Sequence, residues 1–376
     1  MISGLGQDVE RSFAQLMRGI TGIAPLVDVE HRCLHVPQAS AISHDVVTEA
    51  LSSLSDSASS RSRSLVLAHA AALAAIRHSR LEGSGLELII GASTGATREG
   101  ISDCISRPDS AIEPLIDRLT REPIGALGHQ LGSELKPAKV RVWNSTVVSS
   151  ACSSGALAIA IGSMRLEQGA ARPQLVGGVD SLNLLTLCGF EALGAMAQQA
   201  CRPFDAQRNG LSLGEGAGFL VLESEDMLLR RGAVALAWLD GYAIGSEAHH
   251  LTHPEVDGDR ATGLIRTAIE RASLRPGELG YVNAHGTATL ANDAMECRAL
   301  RQAIGPCIDD ILVSSSKGQV GHTLAAAGAI EAVITVQALT EQAAPPTLGL
   351  QHPADDCCLK HVPDTGIRTQ FSAALS

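Results

Sequence analysis

Aromatic residues are scarce in this chain: they make up 2% of its 376 residues. The sequence therefore lacks large aromatic stacking surfaces. Positive charge is also in deficit, because the formal net charge is −11. A protein of this charge does not attract a phosphate backbone through its overall field, which argues against nucleic acid as a partner. A local basic patch could still receive an acidic protein.

Long charge-free apolar runs are missing as well. No segment reaches the roughly 18 apolar residues of a membrane span, and the N-terminus has no basic start followed by an apolar core. The nine cysteines form neither the dense framework of a secreted scaffold nor a CxxC pair. The adjacent Cys357 and Cys358 have no second pair to complete a zinc site. We therefore predict a cytoplasmic protein with no membrane span and no metal.

Small and aliphatic side chains dominate, with 45% hydrophobic residues and 37 glycines. This composition is typical of layered α/β proteins. The length exceeds what one ordinary core needs, which favours two domains or two halves that share a core. Apolar strands and helices alternate on both sides of residue 232. We therefore predict two similar α/β halves, residues 1–232 and 233–376.

Individual elements follow from hydrophobic periodicity. Helices are predicted at 64–79 and 324–341, and apolar strands at 86–91 (LELIIG), 174–180 (QLVGGVD), 219–223 (FLVLE) and 236–242.

One cysteine lies where a predicted strand turns into a predicted helix, in the stretch 149–155 (SSACSSG). At such a turn Cys152 would face unpaired backbone N–H groups and the positive end of the helix dipole, which favour a thiolate. That is how a sulfur nucleophile is prepared. The alternative is that Cys152 is a small buried apolar residue.

Two histidines follow predicted strands in the second half of the chain. His285 lies in 283–289 (NAHGTAT) and His322 in 316–323 (SKGQVGHT). Open α/β folds place reactive groups at the carboxyl ends of their strands. Either histidine alone could be a hydrogen-bonded structural residue. Together with Cys152 they form a Cys-His-His set at three strand ends.

These motifs resemble those of the β-ketoacyl-acyl carrier protein synthases, in the elongating type with a Cys-His-His triad. Four stretches carry the resemblance in the family's order: SACSSGALAIA, CRPFDAQRNGLSLGEGAG, NAHGTATLANDAMECRAL and SSSKGQVGHTLAAAGAIEA. The resemblance covers nearly the whole chain. It implies the thiolase fold, in which two related α/β halves form a five-layered αβαβα body, usually as a homodimer.

The resemblance also implies roles for the three reactive residues. Cys152 corresponds to the nucleophile that accepts an acyl group as a thioester. His285 and His322 correspond to the pair that holds the malonyl thioester carbonyl and stabilises the enolate formed as carbon dioxide leaves. No metal or redox cofactor is implied.

Four further residues match supporting positions of the family. Lys317 resembles its supporting lysine and Glu331 its supporting acid; a buried lysine would keep nearby histidines neutral, and a buried carboxylate would balance it. Thr287 and Thr289 resemble the hydroxyls that bind the carrier's pantetheine arm, and they could also cap a helix.

The resemblance is weakest at both ends of the chain. We expect the first and last strands of the fold to be lacking, together with a glycine-rich loop that supplies a gating phenylalanine and an oxyanion N–H. Two explanations stay open: an abbreviated gene product, or a variant whose missing parts are replaced by a partner chain.

The family implies an acyl carrier protein, bearing acyl and malonyl thioesters, as partner of a homodimer or possibly a heterodimer. Arg61 and Arg63 are candidate docking residues for this acidic partner. The predicted function is decarboxylative Claisen condensation in fatty acid or polyketide-type chain elongation. The alternative is a catalytically weakened or pocket-shaping subunit of a condensing heterodimer. A third possibility, thiolase-like acyl transfer on coenzyme A, is disfavoured by the paired histidines.

Overall fold

The computed structural model describes residues 1–26, 34–35, 38–54, 61–107, 112–250 and 252–376. A five-stranded sheet is built, in spatial order, from β1 (Ile2–Ser3), β7 (Gly216–Leu222), β6 (Gln174–Asp180), β4 (Gly85–Gly91) and β5 (Arg141–Val148). Strand β4 is parallel to both of its neighbours. Strand β7 is antiparallel to β6 and to β1.

A second sheet contains three parallel strands in the order β12 (Ala374–Leu375), β8 (Tyr281–Asn283) and β9 (Leu312–Ser314). Two antiparallel pairs complete the described strands: β2 (Ile23–Pro25) with β3 (Gln38–Ser40), and β10 (Ala343–Ala344) with β11 (Ile367–Arg368).

The described helices lie between and outside these strands. They are α1 (Val9–Met17), α2 (His44–Ser52), α3 (Arg63–Ser79), α4 (Thr97–Ser106), α5 (Glu113–Arg121), α6 (Ala126–Glu134), α7 (Ser154–Glu167), α8 (Leu184–Ala192), α9 (Glu225–Arg230), α10 (Asp259–Arg271), α11 (Leu290–Ile304), α12 (Lys317–Val320) and α13 (Ala327–Glu341).

Alternating side chains place the first sheet between two helical layers, because successive strand residues point to opposite faces. Leu88 and Ile90 of β4 pack in one core with α3 and α6. Ile89, between them, packs with Ala158 of α7 on the other face, where α13 also lies against the sheet. Helices α7 and α13 therefore cover the face opposite α3 and α6.

The second sheet continues this order. Tyr281 and Leu312 pack with Ile330 of α13, whereas Val282 and Val313, one residue further along each strand, pack in the core formed with α10 and α11. The layers are therefore α3 and α6, the first sheet, α7 and α13, the second sheet, and α10 and α11. This confirms the five-layered αβαβα expectation.

The two parts of the chain share a core. Phe13 and Leu16 of α1, near the N-terminus, pack with Tyr281 of the second sheet. The division into halves at residue 232 stays a prediction.

The expectation of two missing strands is tested at the N-terminal end of the chain. Each end forms a two-residue strand, β1 and β12. Ile2 is fully buried and pairs with Ala217, and Ala374 pairs with Tyr281. The buried and paired β1 corrects the expectation that the first strand is lacking. Strand β12 lies before the position of the expected glycine-rich loop, so the lack of that loop and of the last strand stays a prediction.

The prediction of a strand at 236–242 is wrong. The structure assigns no strand or bridge to these residues, and Leu236 and Trp238 are more than half exposed. The sequence has strand-like composition, but a strand also requires a neighbouring strand for its backbone hydrogen bonds. Among the described residues no segment pairs with it.

The helical run Leu324–Glu341 is long and apolar enough to cross a membrane by length and composition alone. It is 61% buried inside the protein, where α13 lies between the two sheets. Its apolar composition is therefore that of a core helix.

Arg61 and Arg63 both form ion pairs with buried carboxylates, and their role as docking residues stays a prediction. The Arg63 guanidinium donates to Glu215 (Nε to Oε2, 2.8 Å), whose side chain is 1% exposed. Arg61 pairs with the buried Glu134. Glu215 also accepts the backbone N–H groups of Ile42 and Leu182, at 2.9 and 3.1 Å. Arg63 therefore neutralises a buried carboxylate.

We predict that Arg63→Met destabilises the protein by about 3–5 kcal/mol, because it leaves Glu215 buried and unpaired. The free energy of unfolding from urea titration measures this effect. Arg121→Met is the matched control, since Arg121 pairs with Asp117 on the surface, and we expect it to cost less than about 1 kcal/mol. Equal effects of the two changes would contradict the prediction.

Candidate active site

Cys152 lies in the tight turn that joins β5 to α7. The preceding residue, Ala151, has φ of 47°, in the left-handed region that side chains other than glycine rarely adopt. Ser154 braces this turn, because its Oγ accepts the N–H of Ser150 (2.8 Å) and donates to the carbonyl of Ala151 (2.7 Å). The sulfur is held on a strained but fixed turn and is partly exposed.

Burial raises the pKa of the Cys152 thiol above its ordinary value, although the charge of Lys317 lowers it in part. The net direction is opposite to the expectation that the helix terminus favours the thiolate. Desolvation of a charged sulfur outweighs the nearby positive charge.

His322 follows α12 and its ring faces the cysteine, with Nε2 3.0 Å from Cys152 Sγ. The backbone N–H of Leu324 donates to its Nδ1 (3.3 Å). Since Nδ1 accepts a hydrogen bond, the neutral ring carries its proton on Nε2. The proton of His322 therefore lies on the side of the sulfur.

His285 follows β8 and has the same arrangement. Lys317 Nζ lies 3.2 Å from its Nδ1, and an ammonium group can only donate. The neutral His285 ring therefore also carries its proton on Nε2. The rings of His285 and His322 are nearly perpendicular, with centroids 5.2 Å apart.

Burial, and secondly the charge of Lys317, lower the pKa of His285 and of His322 well below the ordinary range. Both rings are therefore neutral at neutral pH. Lys317 itself is 1% exposed and forms an ion pair with Glu331 of α13, which is also buried. The structure thus brings together five residues selected from the sequence: Cys152, His285, His322, Lys317 and Glu331.

Thr287 and Thr289 lie just after His285. Their hydroxyl oxygens are 2.9 Å apart, and Thr287 Oγ1 accepts the N–H of Thr289 (3.4 Å). Thr289 occupies the N-cap position of α11 but makes no side-chain cap hydrogen bond. The capping alternative therefore does not describe its side chain.

Two carboxylates near the site were not selected from the sequence. Glu296 of α11 accepts the backbone N–H groups of His285 (2.6 Å) and Gly286 (2.8 Å), and burial raises its pKa to about 7. Asp180, at the end of β6, binds the turn that follows His322 through Ala325 N (2.8 Å). An acid that ends an otherwise apolar strand, as in QLVGGVD, is the one signal that could have indicated Asp180.

Comparison with known proteins finds family models and relatives that match much of the chain. The sequence model of the Beta-ketoacyl synthase N-terminal domain matches residues 142–227, and that of the C-terminal domain matches residues 236–351. The chain is 30% identical to 3-oxoacyl-[acyl-carrier-protein] synthase 2 of Vibrio harveyi, over 100% of this chain and 92% of that protein.

Other similarities are partial in sequence or concern the fold. The chain is 39% identical to 3-oxoacyl-[acyl-carrier-protein] synthase 2 of Synechocystis sp., over 60% of this chain and 56% of that relative. The solved structure described as the ishigamide ketosynthase/chain length factor matches with a TM-score of 0.85 and 27% identity, over 98% of this chain and 91% of that one.

The layered fold and the cysteine with two histidines define a protein of the thiolase-like superfamily. Within it, the two matching domain models and the full-length relative show that the chain belongs to the β-ketoacyl synthase family.

We predict that removing the charge of Lys317 raises the pKa of both histidines, because that charge disfavours the imidazolium forms. The double change Lys317→Met/Glu331→Gln removes both charges and leaves no unpaired buried ion. NMR titration of ¹³C-labelled histidines should show His285 and His322 protonating at higher pH in this variant than in the unmodified protein. Lys360→Met, whose ammonium binds the carbonyl of Asp310, is the control. Unchanged histidine titration in the double variant would contradict this electrostatic role.

Proposed function

We propose that the protein catalyses the decarboxylative Claisen condensation of malonyl-acyl carrier protein with an acyl group carried on Cys152. One observation carries this proposal: two neutral histidines hold their protons on Nε2, and the Nε2 atom of His322 lies 3.0 Å from Cys152 Sγ. The printed names of the relatives, which are 3-oxoacyl-[acyl-carrier-protein] synthases, support the same reaction.

The first step transfers the acyl group. The Cys152 thiol gives its proton to solvent and the thiolate attacks the carbonyl carbon of the acyl-carrier thioester, so that a carbon–sulfur bond forms and the bond to the carrier's sulfur breaks. The carrier leaves as a thiolate and takes a proton from solvent. Because burial raises the pKa of Cys152, hydrogen-bond donation from His322 Nε2 is the local contact that stabilises the attacking anion.

The second step makes the carbon nucleophile. The malonyl thioester carbonyl binds to the Nε2–H groups of His285 and His322, and the bond to the carboxylate breaks as carbon dioxide leaves. The electron pair forms an enolate whose oxygen accepts both hydrogen bonds. Its carbon then attacks the acyl carbonyl on Cys152, and the thiolate is released. The bonds and electrons balance without a metal or redox cofactor.

Supporting residues keep this arrangement in its working charge state. Lys317 keeps the histidines neutral, so that each donates from Nε2, and Glu331 balances the ammonium group. Thr287 and Thr289 offer hydroxyls beside His285 for the pantetheine arm. The partner is an acyl carrier protein, the enzyme works as a homodimer or heterodimer, and its place is the cytoplasm.

A second candidate is a weakened or pocket-shaping subunit of a condensing heterodimer. The structural neighbour described as a ketosynthase/chain length factor favours it. The two candidates differ in one measurable respect: the weakened subunit does not complete condensation on its own.

The test is a two-step incubation followed by mass spectrometry. The purified protein, given an acyl carrier thioester, should gain the acyl mass on Cys152 and should then form a β-keto thioester with malonyl carrier. His285→Ala should keep acylation but lower condensation by roughly 100- to 1000-fold, the cost of one oxyanion donor. Cys152→Ala should gain no acyl mass. Acylation without condensation favours the second candidate, and the absence of both contradicts the proposal.

A further inference from the structure

Asp180 is a fully buried carboxylate at the end of β6. Its Oδ1 accepts from Ser93 N (3.0 Å), Thr94 N (2.9 Å) and Thr94 Oγ1 (2.8 Å). Its Oδ2 accepts from Ser93 Oγ and from Ala325 N (2.8 Å). Because all five partners donate, the group is satisfied as a carboxylate that accepts only.

These contacts join three segments that are distant in sequence. Ser93 and Thr94 follow β4, Asp180 ends β6, and Ala325 lies in the short 3₁₀ turn Leu324–Ala326 after His322. The link to Ala325 is the one that reaches the catalytic histidine. It fixes the residue next to Leu324, whose N–H binds His322 Nδ1.

The turn needs such an anchor because its first residue is strained. Leu324 has φ of 51°, a left-handed conformation that costs roughly 1–2 kcal/mol for a residue with a side chain. Strained residues persist where their surroundings hold them from several sides. Here the following residue is held at its N–H by Asp180.

The other side of the turn is held by close packing. A Cβ atom at Gly178 would lie 2.4 Å from the carbonyl oxygen of Ala325, and one at Gly155 would lie 2.8 Å from it. The turn therefore rests directly on the backbone of β6 and of α7, the helix that begins just after Cys152. A displacement of the turn would move His322 relative to the sulfur.

We propose that Asp180 is a positioning residue: through Ala325 it holds the Leu324–Ala326 turn, which keeps His322 Nδ1 bonded and its Nε2–H directed at Cys152. This role rests on the function proposed above. It assigns to Asp180 a part in the two steps that use His322, which are stabilisation of the thiolate and of the enolate, rather than in the binding of substrate.

Asp180→Asn tests the link with little change in shape. The amide oxygen can keep the three donors on the Oδ1 side, and Ser93 Oγ can turn to accept from the new NH₂ group. The Ala325 N–H cannot, because two donors would then face each other. The matched control is Ser93→Ala, which removes the other donor to Oδ2 and leaves the Ala325 bond in place.

Two measurements separate positioning from general stability. In ¹⁵N spectra of histidine side chains, the unmodified protein should show His322 with the proton on Nε2, and Asp180→Asn should show a mixture of tautomers. The kcat of condensation should fall by about 100-fold, as expected for a misplacement near 1 Å, with KM for malonyl carrier changed less than about twofold. Acylation of Cys152 should slow as well, because His322 Nε2 also donates to the attacking thiolate. Ser93→Ala should leave all of these values within about twofold of the unmodified protein.

Several results would overturn the proposal. These are an unchanged His322 tautomer in folded Asp180→Asn, or a raised KM for malonyl carrier with an unchanged kcat of condensation. If Asp180→Asn does not fold, Ser93→Ala/Thr94→Val replaces it; this variant keeps the carboxylate on its backbone donors, Ala325 included. It should retain the tautomer and kcat, and losing them would reject the role of the Ala325 link. If the unmodified protein neither acylates nor condenses, the proposed function fails, while the ¹⁵N spectra still test whether Asp180 sets the His322 tautomer.

Discussion

Lys317 places a positive charge in the interior of the protein, where 1% of its surface reaches solvent, and a buried charge is stable only beside an opposite one. Glu331 supplies that opposite charge from α13, the helix packed between the two sheets. The packing of the central helical layer therefore also determines the electrostatics of the site. Helix α13 holds Glu331, which pairs with Lys317. Lys317 in turn bonds His285, and its charge adds to burial in lowering the pKa of both histidines.

The backbone next to each reactive residue is strained in the same way. Ala151, Ala288 and Leu324 all have positive φ and lie within three residues of Cys152, His285 and His322 respectively. Each turn is braced by a side chain: Ser154 at the first, Asp293 on Ala288 N (3.1 Å) at the second, and Asp180 on Ala325 N at the third. Strain held by polar side chains fixes the site in one geometry.

Short sequence patterns predicted the features that depend on neighbouring residues, which are the strands, the helices and the motifs. The strand at 174–180 and the helix at 64–79 were predicted to within one residue of β6 and α3, and the three motifs placed Cys152, His285 and His322 at meeting strand ends. Asp180 and Ala325 are 145 residues apart, so no spacing rule could relate them. The raised pKa of Cys152 depends on burial by distant segments. The lack of a strand at 236–242 depends on which segments the fold places beside it. Neither property is encoded in a short window of sequence.

The hydrogen bonds to Nδ1 of His285 and of His322 limit proton transfer through these rings. An enolate can be made by removing a proton from carbon, which requires a base, or by losing carbon dioxide, which requires none. A histidine acts as that base only if an unprotonated ring nitrogen faces the substrate. In this site the unprotonated nitrogen of each ring is Nδ1, on the side away from the Nε2 proton. Nδ1 of His322 accepts from Leu324 N–H, and Nδ1 of His285 accepts from Lys317 Nζ. Neither ring can accept a proton on the substrate side unless the imidazole rotates. The hydrogen bonds of the two histidines therefore favour a substrate that forms its enolate by losing a carboxylate as carbon dioxide.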